Sequence, residues 1–204
     1  MRSDGPADSP LSRTEREFFA REQELHETKY LAGTNPRQQS GFGRDAHDWE
    51  RFRRAVVAPI DRDGSFLDVG CANGLLMESV RSWCAERGLR VEPYGVDLVP
   101  ELVDLARTRL PEWRDRLWTG NAIDWTHPAR LRFDAVRIGL AAVPRPRRRA
   151  LVEHHLAHTV APRGRLIVAH YVATGALDAP PVTDVLAGLG FDGAVATAPD
   201  VAWL

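Results

Sequence analysis

The sequence predicts an α/β fold built on a mainly parallel sheet covered on both faces, and three observations predict it. Short apolar runs rich in Val, Leu and Ile recur after residue 64. Helical patterns fall between most of them, and Gly or Pro marks the junctions. At 204 residues the chain suits one well-buried domain, and a 44% hydrophobic content is enough to fill its core.

Residues 1–12, rich in Ser, Pro, Asp and Gly, read as a flexible tail. A charged helix with a thin apolar face (Phe18, Phe19, Leu25, Tyr30) is expected over 13–30. "AGTNPRQQSGFG", 32–43, is loop. Asp45 reads as an N-cap, with Asp48 three residues on, for a helix carrying Trp49, Phe52, Val56 and Val57 that Pro59 ends. Strands are expected at 66–70, 91–96, 116–119, 133–138, 165–171, 193–197 and 201–204. The helices between them fall at 74–87 closed by Gly88, 100–110, 147–160 closed by "PRG", and 181–189 closed by Gly190. Residues 120–132 are mostly loop. The short break between the last two runs predicts an antiparallel hairpin at one edge. Segment 13–63 precedes the sheet, so it is the source of a helical lid, and 64–204 form the ligand-binding domain.

Charge narrows the partners. With 27 Lys and Arg against 28 Asp and Glu, nothing global draws the chain to nucleic acid or an anionic membrane. No 18-residue apolar run, signal-like start or CxxC pair is present, so a cytoplasmic protein with reduced Cys71 and Cys84 is expected, monomeric or homodimeric. "PRPRRR", 144–149, puts Arg145, Arg147, Arg148 and Arg149 at a helix start, where the dipole disfavours cations. The run reads either as a solvated face or as the contact for an anionic partner; four arginines fall short of a nucleic-acid footprint.

The first strand ends in "DVGCANG", 68–74. Ligands of such sheets bind beyond the carboxyl ends of the strands. Gly70 and Gly74 permit unusual dihedrals and close approach, and the next helix aims free N–H groups at the same space. A pyrophosphate site needs GxGxxG, whereas here the spacing is GxxxG with Ala72 in the middle and Leu75 where a third Gly would stand. Asp68 would repel a pyrophosphate but suit an ammonium. Asp97, ending "PYGVD" 23 residues past Gly74, can accept from both hydroxyls of a ribose. "TGNAIDW", 119–125, offers an amide and backbone groups to an adenine edge, and "FDAVRIGLAAVP", 133–144, brings Gly139 and Leu140 to the mouth of the neighbouring strand. Each has a plainer reading: tight packing for the glycines, a strand-end turn for Asp97, and an ordinary Gly-Asn turn for Asn121.

In this order, "DVGCANG", "GVDL", "GNA" and "APRGRLIVAHY" resemble the glycine, ribose, adenine and fifth-strand motifs of the class I S-adenosylmethionine-dependent methyltransferases. The likeness covers roughly residues 60–204. It implies a Rossmann-like seven-stranded, mostly parallel sheet with a C-terminal antiparallel hairpin. It also implies S-adenosyl-L-methionine as cofactor, lying across Gly70, Cys71, Ala72 and Gly74 with Asp68 toward its amino end. Asp97 and Leu98 would meet the ribose, Asn121 and Ala122 the adenine, and Gly139 the neighbouring strand mouth. Two residues depart from the family: Ala72 replaces its commonest middle Gly, and Asn121 stands where Asp is frequent.

The methyl acceptor is expected to be a small organic molecule, methylated at O or N. Tyr30, Phe42, Leu140 and Tyr171 are the expected substrate and lid residues, with "YLAGTNPRQQSGFG" as a closing loop. Where a base is needed, His170 at the end of the fifth strand and His47 in the N-terminal segment are the candidates; His170 reads equally as a packed strand-end histidine. His154, His155 and His158 are expected at the surface or in packing. No metal site is expected. The alternatives are an RNA or protein methyltransferase using Arg145–Arg149, and an inactive methyltransferase-fold binding subunit.

Overall fold

The computed structural model describes residues 11–171 and 180–204. Seven strands form one sheet: β1 (Gly64–Val69), β2 (Val91–Asp97), β3 (Leu117–Thr119), β4 (Phe133–Gly139), β5 (Val160–Ala169), β6 (Val195–Ala198) and β7 (Val201–Trp203). Their spatial order is β3-β2-β1-β4-β5-β7-β6. Pairings from β3 through β5 are parallel, and β7 runs antiparallel to both β5 and β6. The chain thus has the Rossmann-like, mostly parallel sheet with a reversed strand near its C-terminal edge. Chain order reverses on either side of β1, which opens a crevice at the carboxyl ends of β1, β2 and β4.

Among the described residues six α-helices pack around it: α1 (Arg13–Tyr30), α2 (Ala46–Arg53), α3 (Leu75–Ala85), α4 (Pro100–Arg109), α5 (Arg148–His158) and α6 (Val182–Gly188). The apolar residues of α3 divide between two neighbours. Leu76, Val80, Trp83 and Cys84 meet Trp49, Val56 and Val57, whereas Met77 meets Val103 and Ala106 of α4. On the opposite face Leu151, Val152, Val182 and Leu186 join Phe19 of α1 over Val136, Ile138, Leu166 and Val168. Alternate residues of β4 and β5 therefore feed opposite clusters, as a sheet covered on both sides requires.

Caps fix several boundaries. Asp45 accepts from Asp48 N–H at 2.9 Å and starts α2, as its sequence position predicts. Ser12 and Glu15 form a reciprocal capping box for α1, so residues 11 and 12 belong to that helix start rather than to the tail. Residues 1–10 of the expected tail lie outside the described residues. The helix expected to run to Pro59 becomes a 3-10 turn at Arg54–Val57. "PRG" does not close α5, which stops at His158. Val160 pairs with Phe133, and the register then shifts before Arg165 pairs with Ala135, leaving 161–164 as an irregularity inside β5.

Candidate functional site

A cleft of about 660 Å³ opens at the carboxyl ends of the central strands. That volume lies in the range of small-molecule sites. One wall is the turn after β1, with Asp68, Gly70, Cys71 and Ala72, joined by Asp97 of β2 and by Arg137 and Gly139 of β4. The facing wall comes from the N-terminal segment: His26 and Tyr30 of α1, Phe42 of the loop, and Trp49, Phe52 and Arg53 of α2. Tyr171 and Asp200 close the end beyond β5 and β7.

The turn after β1 is held by Asp97. Its Oδ2 accepts from Ala72 N–H at 2.7 Å and its Oδ1 from Val99 N–H at 3.0 Å. Burial raises the Asp97 pKa, and these backbone donors oppose that rise. The two glycines serve different ends. Gly70 has φ +82°, and a Cβ there would meet nothing within 4 Å, so its open side faces the cleft. At Gly74, φ +78°, a Cβ would come within 2.5 Å of Leu110 Cδ1. Gly74 is small because α4 and its following residue pack against it, and it does not line the cleft. Ala72 adopts φ 46°, a left-handed conformation that favours Gly.

Asn73, fully buried, ties this turn to the N-terminal segment. Its Nδ2 donates to the Pro36 carbonyl at 2.8 Å, and its Oδ1 accepts from Leu75 N–H at 3.2 Å. Cys71 is buried beside Met77 and Val103, and burial holds its thiol pKa well above the usual value, which makes it a neutral filler.

Asp68 lines the cleft, as expected, with Arg137 beside it. It is 1% exposed, and its Oδ1 accepts from Arg137 Nη1 at 3.2 Å, so a side chain of β4 engages one of its two oxygens. Burial raises the Asp68 pKa to about 6 even with that guanidinium beside it. Burial works against the Arg137 charge as well, but Asp68 and Tyr171 hold its pKa above the usual value. Arg53 stands over the Tyr171 ring at 3.7 Å, over Phe42 at 5.0 Å and over Trp49 at 5.5 Å. Burial pushes its pKa down, and Arg137 adds to that.

Several expected residues are not brought to the cleft. His170 follows Ala169, which lines it, and precedes Tyr171, which also does. The strand-like alternation turns His170 to the other face, where burial and then Arg148 and Arg145 lower its pKa. His47 is exposed on α2, outside the cleft wall. Leu140 is fully buried in the main core, and Leu98 packs against that core. Asn121 Oδ1 accepts from Ile123 N–H at 3.1 Å, and the Ala122 carbonyl faces His155 Nε2 at 2.9 Å; neither residue lines the cleft. His155 is a packed residue that anchors the 120–132 loop, with its pKa pushed down by burial to about 3.

Arg53, Arg137, Asn73 and Asp200 escaped sequence reasoning. Asn73 and Arg137 lay inside the two motifs already singled out, where buried-strand polar residues are the available signal. Arg53 sat among other arginines of an amphipathic helix, and nothing in the sequence sets it apart. Three of the four arginines of the run are engaged within the fold. Arg147 Nε pairs with Glu15 at 3.1 Å, Arg149 with Glu153 at 2.8 Å, and Arg148 donates to the Leu140 carbonyl at 3.0 Å. Among the described residues no group of three His, Cys, Asp or Glu is placed to hold a metal ion, and no helix is long and apolar enough to cross a membrane.

No protein-family model and no curated protein matches the chain. Solved structures match its fold. The N-methyltransferase NodS from Bradyrhizobium japonicum WM9, in complex with S-adenosyl-L-homocysteine, is similar over 89% of this chain and 95% of its own, with TM-score 0.60 and 13% identity. The glycopeptide N-methyltransferase MtfA is similar over 79% of this chain and 90% of its own, with TM-score 0.55 and 17% identity. Its complex with sinefungin gives TM-score 0.53 at 16% identity, over 79% and 93% of the two chains. The chain shares the fold of these methyltransferases.

Proposed function

We propose that the chain is an S-adenosylmethionine-dependent methyltransferase that methylates an O or N atom of a small organic molecule. The observation that carries this reading is the Asp97 carboxylate, which braces the turn after β1 through Ala72 and faces the same cleft as the open side of Gly70. The cofactor fits these residues. Asp97 keeps lone pairs for a ribose diol after accepting its two backbone bonds. Gly70 leaves room where any Cβ would intrude. NodS and MtfA, which share the fold, are named as N-methyltransferases, and that supports the class of reaction.

When bound, the cofactor supplies an electrophilic methyl on a sulfonium, and no oxyanion needs stabilising. The chain's task is alignment, and well-oriented reactants can recover up to about 7–11 kcal/mol of a barrier. α1 and α2 form the roof that positions both partners and keeps water out. Asp200, whose pKa burial raises, lines the cleft without an ion-pair partner among the described residues and is our candidate to take a proton from an acceptor.

Calorimetry tests the reading directly. S-adenosylhomocysteine should bind at micromolar concentration, and an absence of binding would overturn the proposal and favour a partner scaffold. Incubation with S-adenosylmethionine and a small-molecule extract should then release S-adenosylhomocysteine.

A further inference from the structure

The cleft has two chemically different ends. Gly70, Ala72 and Asp97 lie at β1 and β2, where the proposed function puts the cofactor. Arg53, Tyr171 and Asp200 lie beyond β4, toward β5 and β7, on the far side of Arg137. We propose that this second end receives an acceptor bearing a carboxylate on an aromatic ring, with Arg53 and the Tyr171 hydroxyl binding the carboxylate. The inference rests on the cofactor occupying the first end.

Pairing of charges carries it. Arg137 already has Asp68 at 3.2 Å. Among the described residues Arg53 has no carboxylate within 4 Å, and its hydrogen bond is a long 3.5 Å contact to the Phe52 carbonyl. Asp200 faces the same end without reaching it. The rings of Tyr171, Phe42 and Trp49 shield the Arg53 guanidinium from water yet supply no full negative charge. Tyr171 Oη and Arg137 Nε are buried without a well-formed hydrogen bond among the described residues, and the hydroxyl, although near enough to the Arg137 side chain to raise its pKa, has capacity for a further partner. A planar carboxylate answers the fork of a guanidinium with two parallel hydrogen bonds and leaves an oxygen lone pair for the tyrosine. Phe42, Trp49 and Phe52 give a ring flat surfaces to rest on. Asp68 is taken by Arg137, so a purely cationic acceptor would find only Asp200 set against the Arg53 guanidinium and would gain no net attraction.

Benzoate and benzamide are the probes, since they differ in charge and little in shape. Titrated into the whole chain with and without S-adenosylhomocysteine, and followed by tryptophan fluorescence, benzoate should bind at least tenfold more tightly. Arg53→Met should abolish that preference and leave the S-adenosylhomocysteine Kd within twofold. Tyr171→Phe, which removes only the hydroxyl, should weaken benzoate several-fold and stands in if Arg53→Met does not fold. Equal binding of the two probes overturns the proposal. So does an Arg53→Met variant that keeps the preference, or one that loses S-adenosylhomocysteine tenfold, which would give Arg53 to the cofactor. Failure of the wild type to bind S-adenosylhomocysteine strikes the cofactor reading instead, and the benzoate preference measured without it still decides the anion site.

Discussion

Asp97 Oδ2 lies 2.7 Å from the backbone nitrogen of Ala72, so the end of β2 holds the shape of the turn that follows β1. One carboxylate therefore has two duties, bracing the cradle and meeting the ribose proposed to rest on it. Asp97→Ala should raise the Kd of S-adenosylhomocysteine more than tenfold in calorimetry. It should also lower stability to urea, because a buried N–H left without its acceptor costs about 1–3 kcal/mol. Unchanged affinity in a folded variant would remove the ribose role.

Gly70 and Gly74 should separate when each is changed to Ala. At Gly70 the only folding cost is the left-handed backbone, about 1–2 kcal/mol, while the new methyl enters the cleft and should weaken S-adenosylhomocysteine at least tenfold. At Gly74 the same backbone cost is joined by a contact with Leu110, so loss of stability should dominate. Urea midpoints and calorimetry on the two variants give the comparison. Equal effects on both readouts would contradict the assigned roles.

Ala72→Gly should stabilise the protein. Ala72 sits at φ 46°, where Gly is free of the Cβ clash, and relief of that strain is worth about 1 kcal/mol before the loss of one buried methyl. A rise in the urea midpoint is expected, with cofactor affinity equal or better; a fall would mean that the methyl matters more than the dihedral.

Two buried groups pull stability in opposite directions with pH. His155 has its pKa pushed from 6.5 down to about 3 by burial. Its contribution is full above the unfolded value and is lost as pH falls toward 3, up to about 4–5 kcal/mol at the limit. Asp68 has its pKa raised from 3.8 to about 6, so the folded protein holds that proton more tightly. Its contribution is full below the unfolded value and lost as pH climbs through 6. Between about pH 6 and pH 4 the two slopes oppose each other, so wild-type stability should change little there, and the decline on acidification should set in below about pH 4, where Asp68 is protonated in both states and His155 alone remains. His155→Gln removes one of the opposing slopes, so the variant should gain stability between about pH 7 and pH 5 where the wild type does not, and urea titrations at those two pH values measure it. An unaltered slope in the variant would take the effect away from His155.

The sheet was legible in the sequence because each strand carries its own apolar run and its own stop. Phe66 through Val69 and Val91 through Asp97 declare themselves locally, and Asp45 announces α2 through a cap three residues long. The start of β5 was not legible, because Val160 pairs ahead of a four-residue irregularity that reads as a helix stop. Site residues divided along the same line. Asp97 and Gly70 follow from position at strand ends. The face taken by His170 depends on a one-residue phase of the pleat, which turns the neighbouring Tyr171 inward instead. The Asp68–Arg137 pair joins two strands 69 positions apart, and no local pattern encodes it.

The Asn73 amide reaches from the cradle to the Pro36 carbonyl, and thermodynamics gives that 2.8 Å bond a further meaning. Whatever steadies the glycine turn also improves the seat on which the loop before α2 docks. Guest and roof then raise each other's equilibrium constants by one common factor. Severing the link by Asn73→Ala would loosen both at once, and a protease offered the loop at 32–43 would read the strength of the coupling as a cleavage rate that falls when S-adenosylhomocysteine is added.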